Sequence, residues 1–133
     1  MQLMAPHAPS SVGTKITIWF ALVRYRRSLV RMAKFLSRYR ESKWSGVLQG
    51  WRSELDGISL SRSGLDTLRR HAARTKRVFG GMGSLNDVAI SPMAGHKIPT
   101  DREIRRKVNR NLSELRGQLF EATNNFLSVL PDA

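Results

Sequence analysis

The chain contains no cysteine, which excludes a disulfide scaffold, a thiolate metal site and a cysteine nucleophile. That fits a reducing compartment. Acidic residues are scarce as well: 10 Asp and Glu stand against 23 Lys and Arg, a formal charge of +13. The three histidines, His7, His71 and His96, have no metal-ligand spacing, and no HExxH occurs. Long apolar runs are missing too. The longest, Ile16 to Val23, falls far short of the about 20 residues a membrane-spanning helix needs. The opening MQLMAPHAPSSVGT is uncharged until Lys15, and Arg24, Arg26 and Arg27 follow the apolar run directly, unlike a signal peptide. The expectation is a soluble, cytoplasmic chain with no membrane span, the alternative being a signal anchor.

At 133 residues with 41% apolar content, the chain has the size and composition of one domain with a small core. The positive field attracts anionic partners: nucleic acid, an anionic membrane surface or an acidic protein. A GC-rich genome that replaces Lys with Arg would give the same charge without a functional reason.

Residues 1–14 carry Pro, Gly and small polar residues without periodicity and read as a flexible tail; residues 15–133 read as a single helical domain. From Lys15 to about Arg40, Ile18, Leu22, Tyr25, Leu29, Met32, Leu36 and Tyr39 recur at alternating spacings of four and three, an apolar helical seam. Arg24, Arg27, Arg31, Lys34 and Arg38 fall about 200° around from that seam, so they form a cationic stripe on the opposite side. Ser42 is the expected cap of a second helix with Trp44, Val47, Leu48, Trp51 and Leu55 inside, ending near Asp56 and Gly57. Residues 57–64 read as a polar connection with one buried hydrophobe, Leu60.

Ser63 is the expected cap of a third helix, with Leu65, Leu68, Ala72, Thr75 and Phe79 inward, Arg70, Arg74 and Arg77 outward, and Gly80 as a left-handed stop. Val88 to Ile90 fits either a brief strand or a helical turn, and residues 91–99 a Pro/Gly loop. Thr100 and Glu103 have capping-box spacing for a final helix that ends at Pro131. Its core line runs Ile104, Val108, Leu112, Leu115, Leu119, Ala122, Phe126 and Leu130, and Gly117 marks a soft spot or a close helix approach. The predicted fold is all-α, a small irregular bundle of about four helices with a glycine-rich loop after the third.

That loop, Phe79 to Ile90, is the most distinctive stretch. Gly80, Gly81 and Gly83 fall within four positions, and Ser84, Asn86 and Asp87 follow. Backbone N–H groups around glycines can form an anion nest. The spacing matches no P-loop, no dinucleotide fingerprint and no nucleophile elbow. The plain structural reading makes the glycines a helix stop, with Met82 in the core and Ser84, Asn86 or Asp87 capping the next turn. His71 reads as a boundary residue with a hydrogen bond, His96 as solvent-exposed, and the aromatics on the seams as core.

The run Phe79-Gly80-Gly81-Met82-Gly83-Ser84-Leu85-Asn86-Asp87-Val88 resembles the signature of an uncharacterised family of small bacterial proteins, a domain of unknown function. Trp44 and Trp51 match that family's upstream helix; Asn109 or Asn111, with Leu112 and Leu115, match its downstream one. The resemblance spans roughly residues 35–120 and implies an accessory or immunity-type protein with no catalytic residues to carry over. This chain departs from the pattern in its basic charge, its Pro/Ser tail and its insertion at 91–99.

Three functional readings follow. The first is a non-enzymatic protein-binding module. It needs no cofactor and contacts its partner, an acidic protein such as a toxin domain, through Gly80, Gly81, Met82, Gly83, Ser84, Asn86, Asp87, Arg74, Lys76 and Arg77. The second is a nucleic-acid binder using Arg24, Arg27, Arg31, Lys34 and Arg38. The third is an enzyme with an anion-binding glycine loop. Oligomeric state is left open.

Overall fold

The computed structural model describes residues 12–80 and 84–131. Four helices carry the fold: α1 (Val12–Arg38), α2 (Ser42–Glu54), α3 (Arg62–Arg77) and α4 (Arg102–Val129). Among the described residues there is no strand. The all-α expectation therefore holds. α1 begins three residues inside the stretch read as a tail; residues 1–11 lie outside the described residues.

α1 is the centre of the bundle, packing on α2 along one side and α4 along the other, while α3 packs on α4. The predicted seam is what makes this possible. Ile18, Tyr25, Leu29, Met32 and Leu36 are wholly buried, with Leu22 and Tyr39 half-buried at the margins. They meet Leu48 of α2, Leu65, Leu68 and Ala72 of α3, and Val108, Leu112, Leu119 and Phe126 of α4. Burial of that apolar surface drives the association.

Tyr25 is the pivot. Its ring stacks on Phe126 at 5.3 Å, and its hydroxyl lies 2.6 Å from Thr75 Oγ1 and 2.8 Å from His71 Nδ1. Burial raises the phenol's pKa, so the group stays neutral. The other His71 nitrogen, Nε2, lies 2.6 Å from the Trp51 carbonyl, which can only accept, so Nε2 carries the proton. Burial lowers the His71 pKa, which keeps the ring neutral and leaves Nδ1 an acceptor, so the single Tyr25 O–H proton is shared between His71 Nδ1 and Thr75 Oγ1. One hydrogen-bonded chain thus joins α1, α2 and α3, and the ring stack adds α4. His71 is buried, with a partner within hydrogen-bond distance of each ring nitrogen.

The helix ends differ from expectation by one or two residues. α2 is capped by Glu41, whose carboxylate accepts from Trp44 N at 2.7 Å, and Ser42 is its first helical residue. α3 is capped by Ser61, accepting from Gly64 N at 3.2 Å; Ser63 lies inside the helix. α4 is capped by Asp101, accepting from Ile104 N at 3.0 Å, so Thr100 and Glu103 form no capping box. In each case a neighbouring acceptor reaches the open N–H groups first. α3 ends at Val78 in right-handed geometry, and Gly80 is not left-handed. Among the described residues the left-handed glycines are Gly57, after α2, and Gly95, in the 91–98 loop.

Other departures concern packing. Ile58 and Leu60 are both half-buried in the connection before α3. There Gly64 passes so close to the chain that a Cβ would lie 1.9 Å from the Ser59 carbonyl oxygen, which only glycine permits. Residues 88–90 are extended, neither strand nor helical turn, after a short 3-10 turn at Leu85–Asp87. Ile104 sits on α4's inner line yet is 44% exposed. Gly117 has open space around it, so no helix approaches there. His96 is half-buried, its Nδ1 accepting from Ser91 N at 3.0 Å.

Candidate functional site

Residues 85–90 lie against α4, and two α4 side chains hold them. Asn109 clamps Ile90 on both sides: its Oδ1 accepts from Ile90 N at 2.7 Å and its Nδ2 donates to the Ile90 carbonyl at 2.9 Å. Arg116 Nη1 faces three carbonyls, those of Leu85 (3.2 Å), Asn86 (3.3 Å) and Val88 (2.7 Å). Burial lowers the Arg116 pKa, though the guanidinium remains charged. Leu85 and Ile90 are the apolar anchors between these polar holds, both buried in the core. Neither Asn109 nor Arg116 carried a role in the sequence reading, where Asn109 counted only as a family match. Their partners lie 19 to 31 residues away, beyond any local pattern.

Of the residues expected at a partner-binding loop, Gly81, Met82 and Gly83 lie outside the described residues. Gly80, Asn86 and Asp87 are exposed. Asn86 donates its side-chain amide back to the Phe79 carbonyl, which ties the two ends of the glycine segment together. Ser84 faces inward, with its Oγ buried and without a hydrogen-bond partner. It is unavailable as a contact and does not cap the turn that follows.

Arg74 is likewise engaged within the fold. It forks onto Glu54 with contacts of 3.2 and 2.5 Å and lies 4.6 Å over the Trp51 ring. The Arg74 hydrogen bonds lower the Glu54 pKa. Lys76 and Arg77 remain exposed. Arg70, Arg74 and Arg77 share a shallow cleft with Glu54, Ile58, Thr67 and His71.

A second cleft lies on the α4 side of the loop, lined by Phe79, Asn86, Ser113, Arg116, Gly117 and Phe120. Its volume is about 480 Å³. Phe79 and Phe120 meet edge to face at 5.3 Å, and Phe120 is 39% exposed.

The cationic stripe occupies the outward side of α1. Arg24, Arg27, Arg31, Lys34 and Arg38 are all exposed, and among the described residues only Arg24 reaches a carboxylate, Glu121 at 3.9 Å. α1 itself contains no Asp or Glu. Four aromatics near the stripe, Tyr25, Tyr39, Trp44 and Trp51, are not free to stack on bases: Tyr25 is buried, and the other three pack against the core.

Among the described residues no group of three Asp, Glu or His side chains stands close enough to hold a metal ion. No helix there is long and apolar enough to cross a membrane.

A family profile described as Domain of unknown function (DUF6966) matches residues 37–99. The match runs from the end of α1 through α2 and α3 to the loop before α4 and includes the glycine segment. No curated protein and no solved structure matches the chain.

Proposed function

We propose that the chain is a protein-binding module whose docking surface is the cleft between Phe79, Asn86 and the Arg116–Phe120 stretch of α4. The observation that carries this reading is the Phe79–Phe120 pair, partly exposed beside Arg116 in a cleft whose rim is pinned by Asn86. Aromatic and Arg side chains in a pre-formed site are the usual anchors of protein interfaces. Lys76 and Arg77 are exposed on the neighbouring end of α3, which favours an acidic partner surface. An immunity-type role against an acidic protein is the specific form of this reading.

The test is affinity capture from the native host with wild type, Phe120→Ser and Arg77→Glu proteins, each checked for native helicity by circular dichroism. The expected result is one or more partners recovered by wild type and lost or strongly depleted with both variants. Identical recovery by all three overturns the reading.

The bare outward side of α1 supports a second reading, nucleic-acid binding through Arg24, Arg27, Arg31, Lys34 and Arg38. It predicts binding at about 50 mM salt that falls steeply as salt rises, each neutralised phosphate adding to the slope. Absence of DNA and RNA binding at that salt removes it.

A further inference from the structure

The outward side of α1 changes character along its length. At about 100° per residue, Ile16, Trp19, Phe20 and Val23 lie on the same line as Arg27, Arg31, Lys34 and Arg38. The first half of that line is apolar and uncovered: Ile16 is 48%, Trp19 52% and Phe20 62% exposed. Trp19 and Phe20 contact each other edge to face at 5.1 Å, side by side on the helix surface. The second half is cationic and also uncovered. Isolated exposed hydrophobes need no explanation, but three in register, with half-buried Val23 beside them, form a patch at one end of a cationic line.

We propose that this side of α1 docks on an anionic lipid bilayer, with Ile16, Trp19, Phe20 and Val23 entering the headgroup boundary and Arg27, Arg31, Lys34 and Arg38 meeting lipid phosphates. Indole and phenyl rings favour that boundary, and cations near an anionic leaflet each add affinity. Charge complementarity selects the occupant. A second copy would bring two cationic, carboxylate-free helices together, which is repulsive. A phosphate backbone would satisfy the cations but leave the aliphatic Ile16 and Val23 in water. The described helices do not span a membrane, so the attachment is peripheral. This surface is separate from the cleft beside the glycine segment.

The test is co-sedimentation of the full chain with vesicles of pure phosphatidylcholine and of phosphatidylcholine mixed with phosphatidylserine. Binding is expected on the mixed vesicles and not on the neutral ones. Trp19→Ser with Phe20→Ser should weaken it at least about tenfold, since two largely exposed aromatic side chains lose their apolar burial. Arg27→Gln, Arg31→Gln and Lys34→Gln should weaken it roughly fivefold for each cation removed. All five positions are exposed, and circular dichroism of each variant checks that it folds. No binding to anionic vesicles overturns the proposal, as does binding unchanged by loss of both aromatics. A wild-type dimer that the aromatic change converts to monomer assigns the patch to a second copy and overturns it as well. So does duplex-DNA binding that survives the aromatic change while no vesicle binding is seen.

Discussion

Along residues 84–98 polar groups turn inward. The carbonyls of Leu85, Asn86 and Val88 converge on Arg116, both backbone groups of Ile90 are taken by Asn109, and Asn86 reaches back to Phe79. Along the outward side of α1 the charged groups turn to water, and only Arg24 meets a carboxylate among the described residues. The loop is irregular, so its backbone amides have no helix to satisfy them and must borrow side chains from α4. α1 satisfies its own backbone, which leaves its side chains available for a partner. The stretch that looks most particular is therefore largely occupied with holding itself in place, and the ordinary helix presents the open surface.

Four measurements break or sharpen this contrast. Asn109→Ala should have the largest effect, about 3 kcal/mol in urea unfolding, because it strands both backbone groups of Ile90 at a partly buried site. A loss under about 1 kcal/mol would mean that water replaces the clamp. Arg116→Gln should cost about 2 kcal/mol, since a shorter neutral side chain cannot serve the same carbonyls. The third effect is pH-dependent. The folded-state pKa of His71 lies below its free value of 6.5, so folding favours the neutral ring. Stability should be full above that free value and decline as pH falls through it toward the folded-state pKa. His71→Gln should flatten the decline, as followed by urea midpoints across that range. Smallest is the paired change Arg31→Gln with Lys34→Gln. It should leave unfolding stability within about 0.5 kcal/mol of wild type, since both side chains are exposed and neither forms an ion pair among the described residues.

The helices were legible because the Ile18 to Tyr39 seam and the α4 line repeat over many turns, and burial follows them. Helix starts were legible only to within a residue or two. Glu41 and Ser42, Ser61 and Ser63, and Thr100 and Asp101 each offer competing caps, and local propensity does not rank them. Gly64 could not be singled out, because its need for hydrogen comes from Ser59 crossing overhead. The cationic stripe was visible from spacing alone. The aromatic patch on the same line was not singled out, although its residues share the stripe's spacing; the exposure of Trp19 and Phe20 is what the structure adds. Asn109 and Arg116 carry no local signal, since their geometry exists only after α4 has docked.

The Tyr25 junction has a consequence for how the molecule comes apart. Its hydroxyl and ring tie α1 to Thr75 and His71 of α3 and to Phe126 of α4, and His71 passes the connection to Trp51 of α2. Detaching any one helix would break this chain or uncover its buried polar groups, so partial opening is penalised at every exit. Native-state hydrogen exchange should accordingly find the central turns of all four helices released in one cooperative event, with earlier exchange confined to helix ends and loops.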